Sequence, residues 1–213
     1  MFVAWPKQRF LRHLEGQAHA LRQRAKLGSL DRLEPAALIA TFPGILLADL
    51  TSLAGDTHSA ELSILNGESA SWSAMALRID GGPWLITWNP WHAETRARVS
   101  IMEEVAHIVL EHKPTKLVPH PATGLPVRTW SPSKEKEAYG VASAALLPFA
   151  GIVQLLRRGN VEAEIAEHFG VSIQLVTMRI NTTSARSAAG VEQPQVAGLR
   201  ATIGDVRSRS ARG

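Results

Sequence analysis

The chain has 213 residues, of which 45% are hydrophobic and 20% charged, with a formal charge of +4 and no cysteine. That balance describes a globular protein with a real core, and the missing cysteine excludes disulfides, thiolate metal sites and cysteine nucleophiles. No apolar run approaches the ~20 residues a bilayer demands, the opening MFVAWPKQRF lacks the basic-then-apolar order of a secretory signal, and the expected compartment is the cytoplasm.

Residues 1–60 read as an N-terminal helical segment, with Phe10, Leu14 and Leu21 near helical spacing among Arg, Gln and His. Pro35 opens a second stretch carrying Leu38 and Ile39, and Pro43-Gly44 breaks it. Residues 61–150 form the expected core. Within it, Met75, Leu77 and Ile79 alternate with smaller or polar neighbours, Asp80 to Pro83 make a turn, and Trp84 to Trp88 run back as a β-hairpin. Helical character spans 94–112 until His112-Lys113-Pro114 stops it, and 114–131 reads as a Pro-rich loop. Ser131-Pro132 opens a further helix as N-cap and first turn, ending at Pro148. A short helical pair fills 150–182, within an annex expected over 151–183. From Ser184 to Gly213, five arginines face one glutamate and one aspartate in a Ser/Ala/Gly-rich tail expected to be disordered. The order of elements gives an α+β class.

The helix around residue 103 is apolar almost all round, through Ile101, Met102, Val105, Ala106, Ile108, Val109 and Leu110. Glu103, Glu104, His107 and Glu111 interrupt that surface, and Glu103 and His107 lie one turn apart on one face. Buried carboxylates cost several kcal/mol unless paired or metal-bound, so the segment asks for a cation. The next long helix carries Glu135 and Glu137 in its first turns. Its Ala138 and Ala142 are small enough for close approach, which would bring Glu135 against the Glu103/His107 face.

These residues resemble the ImmA/IrrE metallo-endopeptidases, whose pattern runs R-x-R-F-T-x-x-H-E-x-x-H, a loop, then E-x-x-A-x-x-x-A-x-x-L-L-x-P. The first half stands here as Arg96-Ala97-Arg98-Val99-Ser100-Ile101-Met102-Glu103-Glu104-Val105-Ala106-His107. The second runs from Glu135 through Ala138 and Ala142 to Leu146-Leu147-Pro148. The resemblance covers roughly residues 20 to 182. It implies a minimal zincin-like fold, a small sheet with helices, and a divalent metal held by two histidines and a glutamate. Carried over, His107 and Glu135 match ligands and Glu104 the general base, with Glu137 a weaker stand-in for Glu135. Glu103 stands where the family has its first histidine. Two carboxylates and one imidazole cancel the charge of a divalent ion, which weakens its polarising power and moves preference from Zn²⁺ towards Mn²⁺. The implied activity is hydrolysis of a peptide bond in a repressor-type protein. The alternative is a catalytically weakened relative that binds metal or protein.

Other readings rank below these. A di-iron Glu-x-x-His site needs a second such motif, and no other histidine follows a glutamate by three. His112, five residues from His107, and His120, in the Pro-rich loop, are expected to be non-ligands. Arg96, Arg98 and Arg128 are expected in ion pairs before substrate contacts, and Trp84, Trp88 and Trp91 in core packing. Ile165 to Arg179 resembles a helix-turn-helix with Ser172, Gln174 and Arg179 as its base-reading side chains. Glu162, Glu164 and Glu167 make its first helix acidic, so DNA binding ranks below packing or protein docking.

Overall fold

The computed structural model describes residues 5–49, 72–78, 81–113, 117–119, 126–128 and 131–191. In chain order these form α1 (Arg9–Arg24), α2 (Pro35–Ile39), β1 (Ile45–Asp49), β2 (Ala74–Arg78), β3 (Trp84–Trp88) and α3 (Glu94–Val109). There follow β4 (Leu117–Pro119), β5 (Pro126–Arg128), α4 (Pro132–Leu146), α5 (Phe149–Arg157), α6 (Glu162–Phe169), α7 (Ile173–Thr183) and α8 (Ala185–Ala189). The mixed α+β class stands. Residues 61–71, Ile79, Asp80, His120 and everything from Glu192 lie outside the described residues.

The main sheet has the order β1-β3-β2. The hairpin is present: β2 runs antiparallel to β3 with Met75 opposite Thr87 and Leu77 opposite Leu85, and Gly81 takes a left-handed φ of 76° between them. The third strand corrects the sequence reading. Ile45–Asp49 falls in the segment expected to be helical, yet it pairs parallel to β3, Ile45 opposite Trp84 and Asp49 opposite Trp88. A five-residue apolar run has no decisive periodicity, and its partner is remote in sequence. The loop 114–131 is corrected likewise: β4 and β5 form a two-stranded ribbon, Leu117 opposite Arg128 and Pro119 opposite Pro126. Of the hairpin tryptophans, Trp84 and Trp88 pack partly buried against the core, while Trp91 is exposed.

Helices α3 and α4 pack side by side, α3 lying on the sheet and α1 covering α4. Met102, Val105, Ala106, Ala138, Val141 and Ala142 are buried where they meet the core. Helix α4 comes close to α1 at Gly140, where a Cβ would stand 2.5 Å from Leu14 Cδ1. Ser131 takes the N-cap position of α4 but makes no capping bond with its side chain; its Oγ lies 3.2 Å from Ser133 Oγ.

The stretch 150–182, expected to hold a helical pair, holds three helices, α5, α6 and α7, and α8 follows within the expected tail. Gly170 ends α6 in the left-handed region (φ 64°), and Ser172 Oγ caps α7 by accepting from Leu175 N at 3.2 Å. The expected tail begins with order. Ser184 turns the chain at φ 57° into α8, Ala185 is fully buried, and Arg186 pairs with Glu162 at 2.8 Å.

Arg179 overturns a sequence expectation. It is buried, donates to Leu147 O at 3.1 Å, and pairs with Glu15 of α1. The other oxygen of Glu15 accepts from Phe149 N at 3.1 Å, at the start of α5. This knot fastens α7 to α1 and to the α4–α5 junction, so Arg179 is no base reader; Ser172 is occupied as a cap. Among the described residues, no single helix is long and apolar enough to cross a membrane.

Candidate metal centre

Glu103 and His107 come from α3, Glu135 and Glu137 from the first half of α4. The packing of these two helices sets His107 Nε2 3.3 Å from Glu135 Oε2. Both side chains are part-buried, so each faces its partner and still reaches the surface.

Glu103 is buried enough for desolvation to raise its pKa, and the charges of Glu104 and Glu135 raise it further, to about 7. Burial lowers the His107 pKa; the Glu135 charge opposes that, and His112 adds to it. Tyr139, one turn beyond Glu135, also feels the cluster: burial raises its pKa first and the Glu103 charge second. The sequence did not single out Tyr139, whose only signal is its place four residues after Glu135.

The structure thus brings His107 and Glu135 together and sets Glu103 and Glu104 within electrostatic reach. Among the described residues, no three His, Cys, Asp or Glu side chains stand together in a geometry that holds a metal ion. The expected Glu103/His107/Glu135 triad is therefore two donors in contact and a third apart. In donor type the residues fit a divalent cation. One imidazole nitrogen and two carboxylates are a recognised ligand set, and the raised Glu103 pKa records burial first and like charges second, a need that a cation would answer.

His112 occupies a place the sequence reading did not foresee. Helical spacing points it away from His107, but α3 ends before it. Glu111 takes a left-handed φ of 53°, Glu111 N bonds Ile108 O at 3.1 Å, and His112 N bonds His107 O at 3.0 Å. This is a Schellman turn, with Glu at the position that glycine favours. It folds His112 back, so that His112 Nδ1 lies 3.0 Å from His107 Nδ1. On its far side His112 Nε2 is 3.4 Å from Glu137 Oε2, and Glu137 Oε1 accepts from His13 Nε2 of α1 at 2.8 Å. Glu137, expected as a stand-in for Glu135, is committed to these two histidines. Their hydrogen bonds hold its pKa below the usual carboxylate value, that from His13 foremost, against partial burial.

The arginines of the motif have structural partners. Arg98 is buried, pairs with Glu34, and donates to Leu33 O at 2.6 Å and Phe169 O at 3.4 Å. Arg96 donates to Ser73 Oγ at 2.9 Å, and the Arg128 side chain lies outside the described residues.

Residues 65–181 match the Peptidase_M78 family, the IrrE N-terminal-like domain. More than half of the chain is covered, and it belongs to that family, as the motifs around Glu103 and Glu135 suggested. The family is one of metallopeptidases and implies a divalent metal. No curated protein matches the chain.

Proposed function

We propose that this member of the IrrE N-terminal-like family hydrolyses a peptide bond in a repressor-type regulatory protein of the cytoplasm. His107, Glu135 and Glu103 hold a divalent cation, with Zn²⁺ preferred and Mn²⁺ the alternative, and Glu104 is the general base. The supporting observation is the 3.3 Å approach of His107 Nε2 to Glu135 Oε2, which joins the two separated halves of the motif. A cation held there would supply Lewis-acid polarisation of a scissile carbonyl and ease deprotonation of an attacking water. Glu104 would take that proton and return it to the leaving amine, with Glu135 beside His107 as a second ligand from the neighbouring helix.

A second reading is favoured by a specific observation: Glu103 does not complete a three-donor group among the described residues. A weakened relative that binds a protein or metal without cleaving accounts for this, and for the carboxylate in place of the first histidine. DNA binding through α6 and α7 ranks third, since Arg179 is spent on Glu15.

Co-expression with candidate repressors, followed by metal-dependent cleavage, separates these readings. Glu104→Gln preserves size and hydrogen bonding but removes basicity, so the cleavage rate should fall roughly 10²–10⁴-fold. Cleavage that persists undiminished would remove Glu104 from the catalytic role, and no cleavage with any partner or metal would favour the weakened relative. Glu103→His should raise zinc affinity in a titration, because neutral imidazole suits Zn²⁺ and leaves it more electrophilic. Equal or weaker affinity in the variant would show that Glu103 is not a ligand.

A further inference from the structure

We propose that His112 is a positioning residue for His107: anchored by Glu137, it holds His107 Nδ1 and thereby commits His107 Nε2 to the metal centre beside Glu135. The proposal rests on the reading of His107 as a ligand, and adds to it a residue that the metallopeptidase motif does not contain.

The backbone at the end of α3 carries His112 to His107. A non-glycine residue in the left-handed region costs roughly 1–2 kcal/mol, yet Glu111 holds that conformation at φ 53°. The turn it makes delivers His112 onto His107, with ring centroids 4.9 Å apart and planes inclined at 72°. His112 is also nearly enclosed, with a side chain 8% exposed. A turn of the same kind ends α1 at Lys26 (φ 58°), so it is the enclosure of His112 against His107 that sets this helix end apart.

The protons of the two rings point to the same pairing. Two unprotonated Nδ1 atoms at 3.0 Å would set lone pair against lone pair, so one of them carries the hydrogen. When His107 Nε2 gives its lone pair to a cation, the one proton of the neutral ring sits on Nδ1. His107 is then the donor and His112 Nδ1 the acceptor. The proton of His112 falls to Nε2, which faces Glu137 Oε2 at 3.4 Å. Glu137 is held in turn by His13 at 2.8 Å. Each proton has an acceptor, and the tautomers of both rings follow from one carboxylate. Metal-bound histidines commonly donate directly to a carboxylate or carbonyl; here an imidazole is interposed, and α1 supplies the last support.

The full-length protein, uniformly ¹⁵N-labelled and without added metal, should show a through-hydrogen-bond ¹⁵N–¹⁵N coupling between the two Nδ1 atoms. With Zn²⁺ added, the shared proton should be covalently on His107 Nδ1. His112→Phe should lower Zn²⁺ affinity roughly 10–100-fold. His112→Gln, whose amide can accept from His107 and donate to Glu137, should recover most of it, which a purely space-filling residue would not do. Absence of the coupling in the wild type, or wild-type zinc affinity in a folded His112→Phe protein, overturns this proposal alone. A wild-type protein that shows the coupling but binds neither Zn²⁺ nor Mn²⁺ overturns the metal reading, and this proposal with it.

Discussion

Arg179 in α7 and Glu103 in α3 are both ionisable side chains drawn largely out of water, yet their surroundings differ in sign. Arg179 meets Glu15 and a backbone carbonyl, and Glu15 in turn meets a helix N-terminal amide. Glu103 meets Glu104 and Glu135, whose charges add to the cost of its burial. A buried pair of opposite signs specifies how helices dock, and removing one member is expensive. A cluster of like charges leaves a need that only a cation or a proton meets, which is the usual mark of a working site. The annex is built to stay closed, and the motif helices are built to accept something.

The largest effect should come from breaking the closed side. Arg179→Met leaves Glu15 buried without its partner and should destabilise by about 3–5 kcal/mol, read as a lower denaturant midpoint. The double variant with Glu15→Gln should recover much of the loss. Full stability in the single variant would mean that the pair is not buried in solution.

On the open side the sign reverses. Glu103 ionises near 4.5 when unfolded and near 7 when folded, so between those values the folded protein holds the extra proton. Stability should therefore fall as pH rises from about 4.5 to 7, and level off above. Glu103→Gln should flatten that window and gain up to about 3 kcal/mol at neutral pH in chelated protein. Glu162 in the annex behaves oppositely. Burial pushes its pKa up, but hydrogen bonds from Thr177 and Arg186 and the Arg186 charge together lower it. Its contribution is present above the unfolded value and lost as pH falls through the folded one. Denaturant midpoints across pH 2–8 check both signs, and an unchanged slope in Glu103→Gln would contradict the first.

The smallest effect concerns the Schellman turn. Glu111→Gly should stabilise by about 1 kcal/mol, the relief of a left-handed side chain offset in part by a looser unfolded chain. A lower melting temperature would show that the Glu111 side chain contributes something the backbone argument omits.

The sequence made some of this architecture legible because the signals were local. Alternation marked β2 and β3, Pro132 marked the start of α4, and the spacing of Glu103 and His107 placed them on one helix, which is buried along one face rather than all round, Val109 being exposed. What it concealed was decided at a distance or at helix ends. β1 is a strand because β3 lies beside it. His112 meets His107 because the helical period stops at Leu110. Arg179 finds Glu15 across 164 residues, a pairing no window of sequence displays. The beginning of the tail was misread for a related reason: Ala185 to Ala189 is too short a run to be helical on its own, and its contacts on α5 and α7 decide the matter.

The parallel pairing of β1 with β3 has a consequence for where this protein can be divided. The family match begins at residue 65, downstream of both β1 and α1. A chain cut there would keep the whole motif but reduce the main sheet to a two-stranded ribbon, which is marginal in water. It would also strip α4 of its α1 cover, exposing the surface around Gly140 that Leu14 packs on, and leave Arg179 without its counter-ion. The inheritable unit defined by the motif and the unit that folds are therefore different lengths of chain. Grafting the motif region onto another protein should fail unless the first fifty residues travel with it.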